Sequence, residues 1–149
     1  MIQLSIKDLL VACALVASSA FGSAYFTKGS QDWYKKCTWW TPPNKVFAVV
    51  WPCLYAVLAF VLYHTFREIP RSTLSIHLQL ATLLLNTLWC YLFFQKKQVG
   101  AALAVLVLNV TVSVLTMILS SKWYTLLLIP YAIWLEFALI LNAFAWNCF

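Results

Sequence analysis

Residues 99–119 read VGAALAVLVLNVTVSVLTMIL and contain no charged side chain. A helix needs about 20 predominantly apolar residues to cross a hydrocarbon core about 30 Å thick. This stretch therefore predicts a transmembrane helix, and the residues on either side of it show how many more the chain contains.

Four more apolar stretches of spanning length flank this one, and the charges concentrate in the joints between stretches. Two of these joints are Arg67-Glu68-Ile69-Pro70-Arg71 and Gln95-Lys96-Lys97-Gln98. Joints this short make neighbouring helices run antiparallel. We therefore predict an all-α integral membrane protein, a five-transmembrane-helix bundle that forms a single domain over residues 1–149. The predicted spans are residues 9–27, 46–66, 74–94, 99–119 and 123–146.

The composition agrees with this fold class. Hydrophobic residues make up 64% of the chain and charged residues only 9%, whereas soluble domains contain about 25% charged residues. The net charge of +6 comes from cations between the apolar stretches, so we expect anionic lipid headgroups, and not nucleic acid, as the counter-charge. The cysteines show no C-x-x-C spacing, which predicts no metal site and five unpaired thiols. They are Cys13, Cys37, Cys53, Cys90 and Cys148.

The first apolar stretch has a second interpretation. Lys7, an apolar run and Ser18-Ser19-Ala20 resemble a secretory signal peptide with a small-residue cleavage site. The run continues through Phe26 to full spanning length, which is longer than the apolar region of a signal peptide. We therefore expect a retained helix.

The joint between the first two spans, residues 28–45, is the longest and contains several aromatic residues and two prolines. A loop of this composition is expected to pack as a lid over one end of the bundle. Its aromatic residues and prolines are Trp33, Tyr34, Trp39, Trp40, Pro42 and Pro43.

Polar and aromatic side chains on three spans predict a pocket between helices. Asn86 and Trp89 share one face of the third span, and Trp134, Ala138 and Asn142 share one face of the fifth. Trp51 lies about one turn into the second span, beside Pro52, whose missing N–H loosens the helix locally. Flat indole rings offer stacking to a flat ligand. The predicted ligand-binding residues are Trp51, Asn86, Trp89, Trp134, Ala138 and Asn142.

Each of these residues also has a purely structural interpretation. Tryptophans are enriched in the belts at the membrane–water interface, and Asn within a bundle often hydrogen-bonds across helices to fix their register. Glu136 lies about 200° around the helix from Trp134, so it is expected to point away from the pocket. It would then pair with a cation, stay protonated or lie at a subunit contact. The chain contains nothing that resembles a catalytic triad.

Tryptophan- and proline-rich motifs recur along the chain in a fixed order. The first group comprises Gly22-Ser23, Trp33-Tyr34, Trp40-Thr41-Pro42-Pro43, Val46-Phe47, Val50-Trp51 and Leu54-Tyr55. The second comprises Asn86-x-x-Trp89, Phe93-Phe94, Gln98, Pro130-Tyr131-x-x-Trp134-x-x-Phe137-Ala138, Leu141-Asn142 and Trp146-Asn147. In order and spacing the chain resembles the translocator protein family, also called tryptophan-rich sensory proteins or peripheral-type benzodiazepine receptors. The resemblance covers most of the chain and implies that Trp40, Pro42 and Pro43 are lid residues.

The resemblance implies a five-helix bundle, often dimeric, whose cavity beneath the first loop binds porphyrins such as haem precursors and synthetic aromatic ligands. No cofactor is required in that case, and a porphyrin or haem is the expected ligand. Members of the family occur in bacterial membranes and in the mitochondrial outer membrane. The chain departs from the family pattern at Lys45, Ala48-Val49, Thr82 and Val105, and these departures bear on ligand affinity and specificity.

Three classes of function follow. The first is a ligand-binding or sensory membrane protein that takes up a porphyrin or a similar flat apolar ligand. The second is a small transporter of tetrapyrroles or other lipophilic ligands, for which Glu136 and the basic lid are the motivation. The third is an enzyme that degrades porphyrin in light through the oxidisable indoles of Trp51 and Trp134, as the resemblance implies for some bacterial relatives.

Overall fold

The computed structural model describes residues 4–30, 32–68 and 70–146. Within these ranges it contains five helices long and apolar enough to cross a membrane, and no β-strand. The prediction of an all-α protein with five transmembrane helices is confirmed. The helices are α1 (Ile6–Thr27), the short α2 (Asp32–Lys35), α3 (Asn44–Phe66), α4 (Thr73–Cys90), α5 (Val99–Ser120) and α6 (Ile129–Ala145).

Local side-chain chemistry explains several of these helix ends. The Ser5 and Ser72 hydroxyls cap α1 and α4 by accepting hydrogen bonds from the Asp8 and Ser75 backbone N–H groups, each at 3.3 Å. These bonds satisfy donors that have no partner within the helix. At the C-terminal end of α5, Ser121 adopts the left-handed conformation (φ 51°), which ends that helix.

Helix α4 lies at the centre of the bundle and packs against α1, α3 and α5, and α6 packs against α5. Small and hydroxyl side chains bring α1 close to α4. The Ser19 hydroxyl donates to the Leu83 carbonyl at 2.9 Å, and a Cβ atom on Gly22 would lie 3.1 Å from the Thr87 methyl group. Such contacts are typical of helices that associate in lipid.

Two of the long spans contain an irregular turn at one of their ends. Residues Tyr91–Gln95 continue α4 as a π-helical turn, and residues Trp123–Leu128 form a 3₁₀ helix before α6. In an α-helix, successive side chains point about 100° apart around the axis, so neighbouring residues face different directions. In this turn, however, the neighbours Phe93 and Phe94 are both buried. The wider π turn accompanies this double burial at the lid end of the bundle.

The prediction of five unpaired cysteines is wrong for Cys37, which is disulfide-bonded. Cys13, Cys53 and Cys90 are free thiols, and Cys148 lies outside the described residues. Spacing in the sequence could not reveal this bond, because a disulfide depends on the approach of the two cysteine Cα atoms after folding.

Candidate functional site

A cavity of about 600 Å³ lies between α1, α3 and α4, beneath the loop that contains α2. Its walls are mostly apolar and aromatic, with a few polar groups. This volume is within the range of about 300–1,000 Å³ typical of small-molecule sites. The lining residues are Ala20, Phe21, Ser23, Ala24, Thr27, Tyr34, Asn44, Phe47, Ala48, Trp51, Pro52, Tyr55, Trp89, Cys90 and Phe94.

Helix α3 supplies one aromatic wall of the cavity. Phe47, Trp51 and Tyr55 recur every four residues, so all three side chains lie on one face of the helix. The Trp51 and Tyr55 rings lie 5.6 Å apart between centroids and are inclined by 30°. Together they present two aromatic rings to the cavity, against which a ring system can stack.

Trp89 on α4 supplies a second wall, and its indole is fixed by hydrogen bonds and stacking. Its Nε1–H donates to Asn142 Oδ1 at 3.0 Å, and Asn142 Nδ2 donates to the Val99 carbonyl at 2.9 Å. The ring stacks on Phe93 with centroids 5.4 Å apart and an angle of 18°. Asn142 is fully buried and does not line the cavity; it positions Trp89 from behind.

Asn86 lies behind Tyr55 and does not line the cavity either. It is fully buried, and its Nδ2 donates to the Tyr55 hydroxyl at 2.6 Å. Because the phenolic oxygen already accepts this bond, its own hydrogen can be donated to a group in the cavity. Ser23 and Cys90 add a hydroxyl and a thiol to the lining.

Trp134 and Ala138 are placed behind the α3 wall. The Trp134 ring meets Trp51 at right angles, with centroids 6.2 Å apart and an angle of 89°, and neither Trp134 nor Ala138 is among the residues that line the cavity. The Trp134 Nε1–H is buried and has no hydrogen-bond acceptor among the described residues. The structure therefore brings Trp51 and Trp89 to the cavity surface and places the other four predicted residues in the layer around it.

The loop between α1 and α3 folds over the end of the bundle. Trp40 packs edge-on against Phe137 of α6, with centroids 6.3 Å apart. Pro42 is buried, and the exposed Pro43 precedes the first residue of α3. None of these three predicted lid residues lines the cavity.

The loop residue that does line the cavity is Tyr34 of α2. It is buried against Phe93 and Phe94, with centroids 5.7 and 5.8 Å away. Burial, with a smaller contribution from the nearby Asp32 carboxylate, raises the pKa of the Tyr34 hydroxyl above its ordinary value. Sequence reasoning placed Tyr34 in the lid loop but not among the cavity residues, since the composition of a loop does not show which of its residues is buried.

The cavity opens sideways between α1 and α3. Phe21, Ala24, Ala48 and Pro52 line the cavity and are also exposed on the outer surface of the bundle. In a membrane this side of the cavity faces lipid. At the opposite end of the two helices, an ion pair between Arg67 and Asp8 at 3.6 Å holds them together.

Residues 10–147 match the model of the TspO/MBR family. This chain belongs to the TspO/MBR family. It is 33% identical over 149 residues to the tryptophan-rich protein TspO of Archaeoglobus fulgidus, covering 93% of this chain and 95% of that protein. It is 31% identical to the tryptophan-rich sensory protein of Cereibacter sphaeroides (74% of this chain, 73% of that protein) and 33% identical to the translocator protein of Sus scrofa (72% and 68%).

Family membership and the five apolar helices make this chain a multi-pass membrane protein. The Trp51 wall, the Asn86–Tyr55 pair and the Trp89–Asn142 pair all lie within the residues that match the family. The outer face of α6 is separate from them, because Glu136 is exposed and does not line the cavity.

Proposed function

We propose that this protein binds a flat, largely apolar ligand of the tetrapyrrole class, such as a porphyrin or haem, in the cavity between α1, α3 and α4. The observation that carries the proposal is a cavity of about 600 Å³ with the Trp51–Tyr55 surface on one side and the fixed Trp89 indole on another. Large rings with delocalised electrons gain free energy by stacking on such surfaces.

The opening and its surroundings favour an amphipathic ligand. The apolar body of a tetrapyrrole can enter from the bilayer through the gap between α1 and α3. Lys28 and Lys45 are exposed and follow directly after the lining residues Thr27 and Asn44. Their ammonium groups complement the carboxylate side chains that porphyrins such as protoporphyrin carry.

The proposed partners are the lipid bilayer, the ligand itself and a second copy of the chain. No bound cofactor is needed for this binding. A second copy is favoured by the exposed carboxyl of Glu136 on an otherwise apolar helix face, which lipid solvates poorly. The mass of the purified protein in detergent, measured by light scattering, tests the dimer.

The functional experiment is a titration of the purified protein with protoporphyrin, followed by the Soret absorbance in the dark and under illumination. Saturable binding without loss of the porphyrin supports a sensor or carrier. Bleaching that requires both light and protein would instead support the porphyrin-degrading enzyme, for which the contact between the Trp51 and Trp134 indoles is the one favourable observation. Absence of saturable binding contradicts the proposal.

A further inference from the structure

Polar side chains recur inside the bundle between the cavity and the opposite membrane face. On α4 and on α5 they follow each other at intervals of three or four residues, so each set forms one stripe along its helix. The two helices are consecutive, antiparallel and in extensive contact. We call these eight residues the polar column: Ser75, Gln79, Thr82 and Asn86 on α4, and Asn109, Ser113, Thr116 and Ser120 on α5.

The two stripes match in depth. In an antiparallel helix pair, the numbers of two residues at the same depth add up to a constant. The pairs Asn86 with Asn109, Thr82 with Ser113, Gln79 with Thr116 and Ser75 with Ser120 all give the same sum. All members except the half-buried Ser120 are buried. Four successive levels of the membrane interior therefore contain a polar group from each helix.

The upper end of the column reaches the cavity. Asn86 donates to the Tyr55 hydroxyl at 2.6 Å, and Tyr55 lines the cavity. At the same level, Asn109 Nδ2 donates to the Tyr131 hydroxyl at 3.1 Å. The cavity wall and the column are thus joined by hydroxyl and amide groups.

The lower end reaches a carboxylate at the other membrane face. Gln79 Nε2 donates to the Thr65 hydroxyl at 2.6 Å. The Tyr124 hydroxyl lies near Thr65 and Ser120 and donates a hydrogen bond to the Glu68 carboxylate. Arg67 and Arg71 lie on either side of Glu68 along the chain; Arg67 pairs with Asp8, and Arg71 Nε donates to the Phe66 carbonyl.

Several acceptors in the column have no donor among the described residues. They are Gln79 Oε1, Asn86 Oδ1, Asn109 Oδ1 and Ser120 Oγ. Leaving a buried polar atom unpaired costs about 1–3 kcal/mol. If the asparagines only fixed the register of the helices, their carbonyl oxygens would be paired across the interface. Buried water satisfies such atoms in many proteins, making about three hydrogen bonds per molecule.

We propose that the polar column holds a file of water molecules and that protons pass along it between Tyr55 at the cavity and Glu68 at the opposite face. The Ser113 and Thr116 hydroxyls donate their own hydrogens to the Asn109 and Val112 carbonyls. Their oxygens and the amide oxygens of the column can therefore accept hydrogen bonds from the water molecules, which pass the protons along the file. This activity is independent of which ligand occupies the cavity. It also places the proton route inside the bundle, away from the exposed carboxyl of Glu136.

The test measures proton flux into liposomes that contain the purified protein and the pH dye pyranine. The driving force is a membrane potential that valinomycin sets up from a potassium gradient. Thr116→Val and Thr111→Val form a matched pair. Both hydroxyls donate to the carbonyl four residues earlier at 2.8 Å, but Thr116 lies in the column and Thr111 is exposed. Gln79→Leu removes the side-chain amide that donates a hydrogen bond to the Thr65 hydroxyl.

We expect wild-type protein and Thr111→Val to pass protons faster than protein-free liposomes, Thr116→Val to be slower, and Gln79→Leu to be reduced to the protein-free rate. Circular dichroism and gel filtration establish that each variant is folded, and the small change in Thr116→Val keeps the test valid if Gln79→Leu does not fold. Wild-type flux equal to that of protein-free liposomes would overturn the proposal. Equal flux in Thr111→Val and Thr116→Val would overturn it as well.

Discussion

Replacing Trp51 by Ala removes the larger ring of the α3 wall. The indole lies 5.6 Å from Tyr55 and 6.2 Å from Trp134 between centroids, so its removal leaves a gap at the centre of the aromatic surface. Stacking of a flat ring on an aromatic side chain contributes about 1–3 kcal/mol. We therefore expect the dissociation constant for protoporphyrin to rise roughly 5- to 150-fold in Trp51→Ala, and to rise less in Trp51→Phe, which keeps a ring.

The assay is the Soret titration in the dark, because the porphyrin absorbance does not depend on the number of tryptophans that remain. Trp123→Ala is the matched control. Trp123 is 68% exposed and lies near His64 at the end of the bundle away from the lid, so its removal should leave the dissociation constant unchanged. Equal affinity of Trp51→Ala and wild type, or an equal loss in Trp123→Ala, would refute the stacking role of Trp51.

Three further outcomes are expected. Asn142→Leu leaves the Trp89 Nε1–H without its acceptor. We expect the free energy of unfolding to fall by about 1–3 kcal/mol, measured by thermal unfolding, and porphyrin binding to weaken. An unchanged melting temperature would contradict the positioning role of Asn142. Because the pKa of Tyr34 is raised in the folded loop, the unfolded loop ionises first as the pH rises past about 10. Lid packing, followed by tryptophan fluorescence, should therefore weaken in that range in wild type and not in Tyr34→Phe. Glu136→Gln alters only the exposed face of α6, so the affinity for porphyrin should stay the same, and a large change would place the ligand on that face.

The fold could be predicted because the charges mark the limits of the helices. When the π-helical turn is counted with α4 and the 3₁₀ helix with α6, each predicted span differs from the observed one by at most three residues at either end. The apolar stretch of residues 99–119, for example, corresponds to α5 from Val99 to Ser120. Hydropathy does not report local geometry, however, and did not indicate the π-helical turn at Tyr91–Gln95, in which Phe93 and Phe94 are both buried.

The candidate site could be predicted only in part. Helical spacing correctly groups residues on one face, but it does not tell which of them reaches a cavity and which lies one layer behind. Asn86 and Asn142 are both involved in hydrogen bonds with a residue of the cavity wall, Tyr55 and Trp89 respectively. Their partners are 31 and 53 residues away along the chain, and such pairs arise only when the helices pack.

Crystals grown with zinc protoporphyrin would locate the ligand directly through the anomalous signal of the zinc ion. We predict one strong peak inside the cavity, between the Trp51–Tyr55 surface and Trp89, with the porphyrin carboxylates towards Lys28 and Lys45. A peak on the outer face of α6 near Glu136, or on the surface of the lid, with the cavity free of porphyrin, would contradict the proposed binding site.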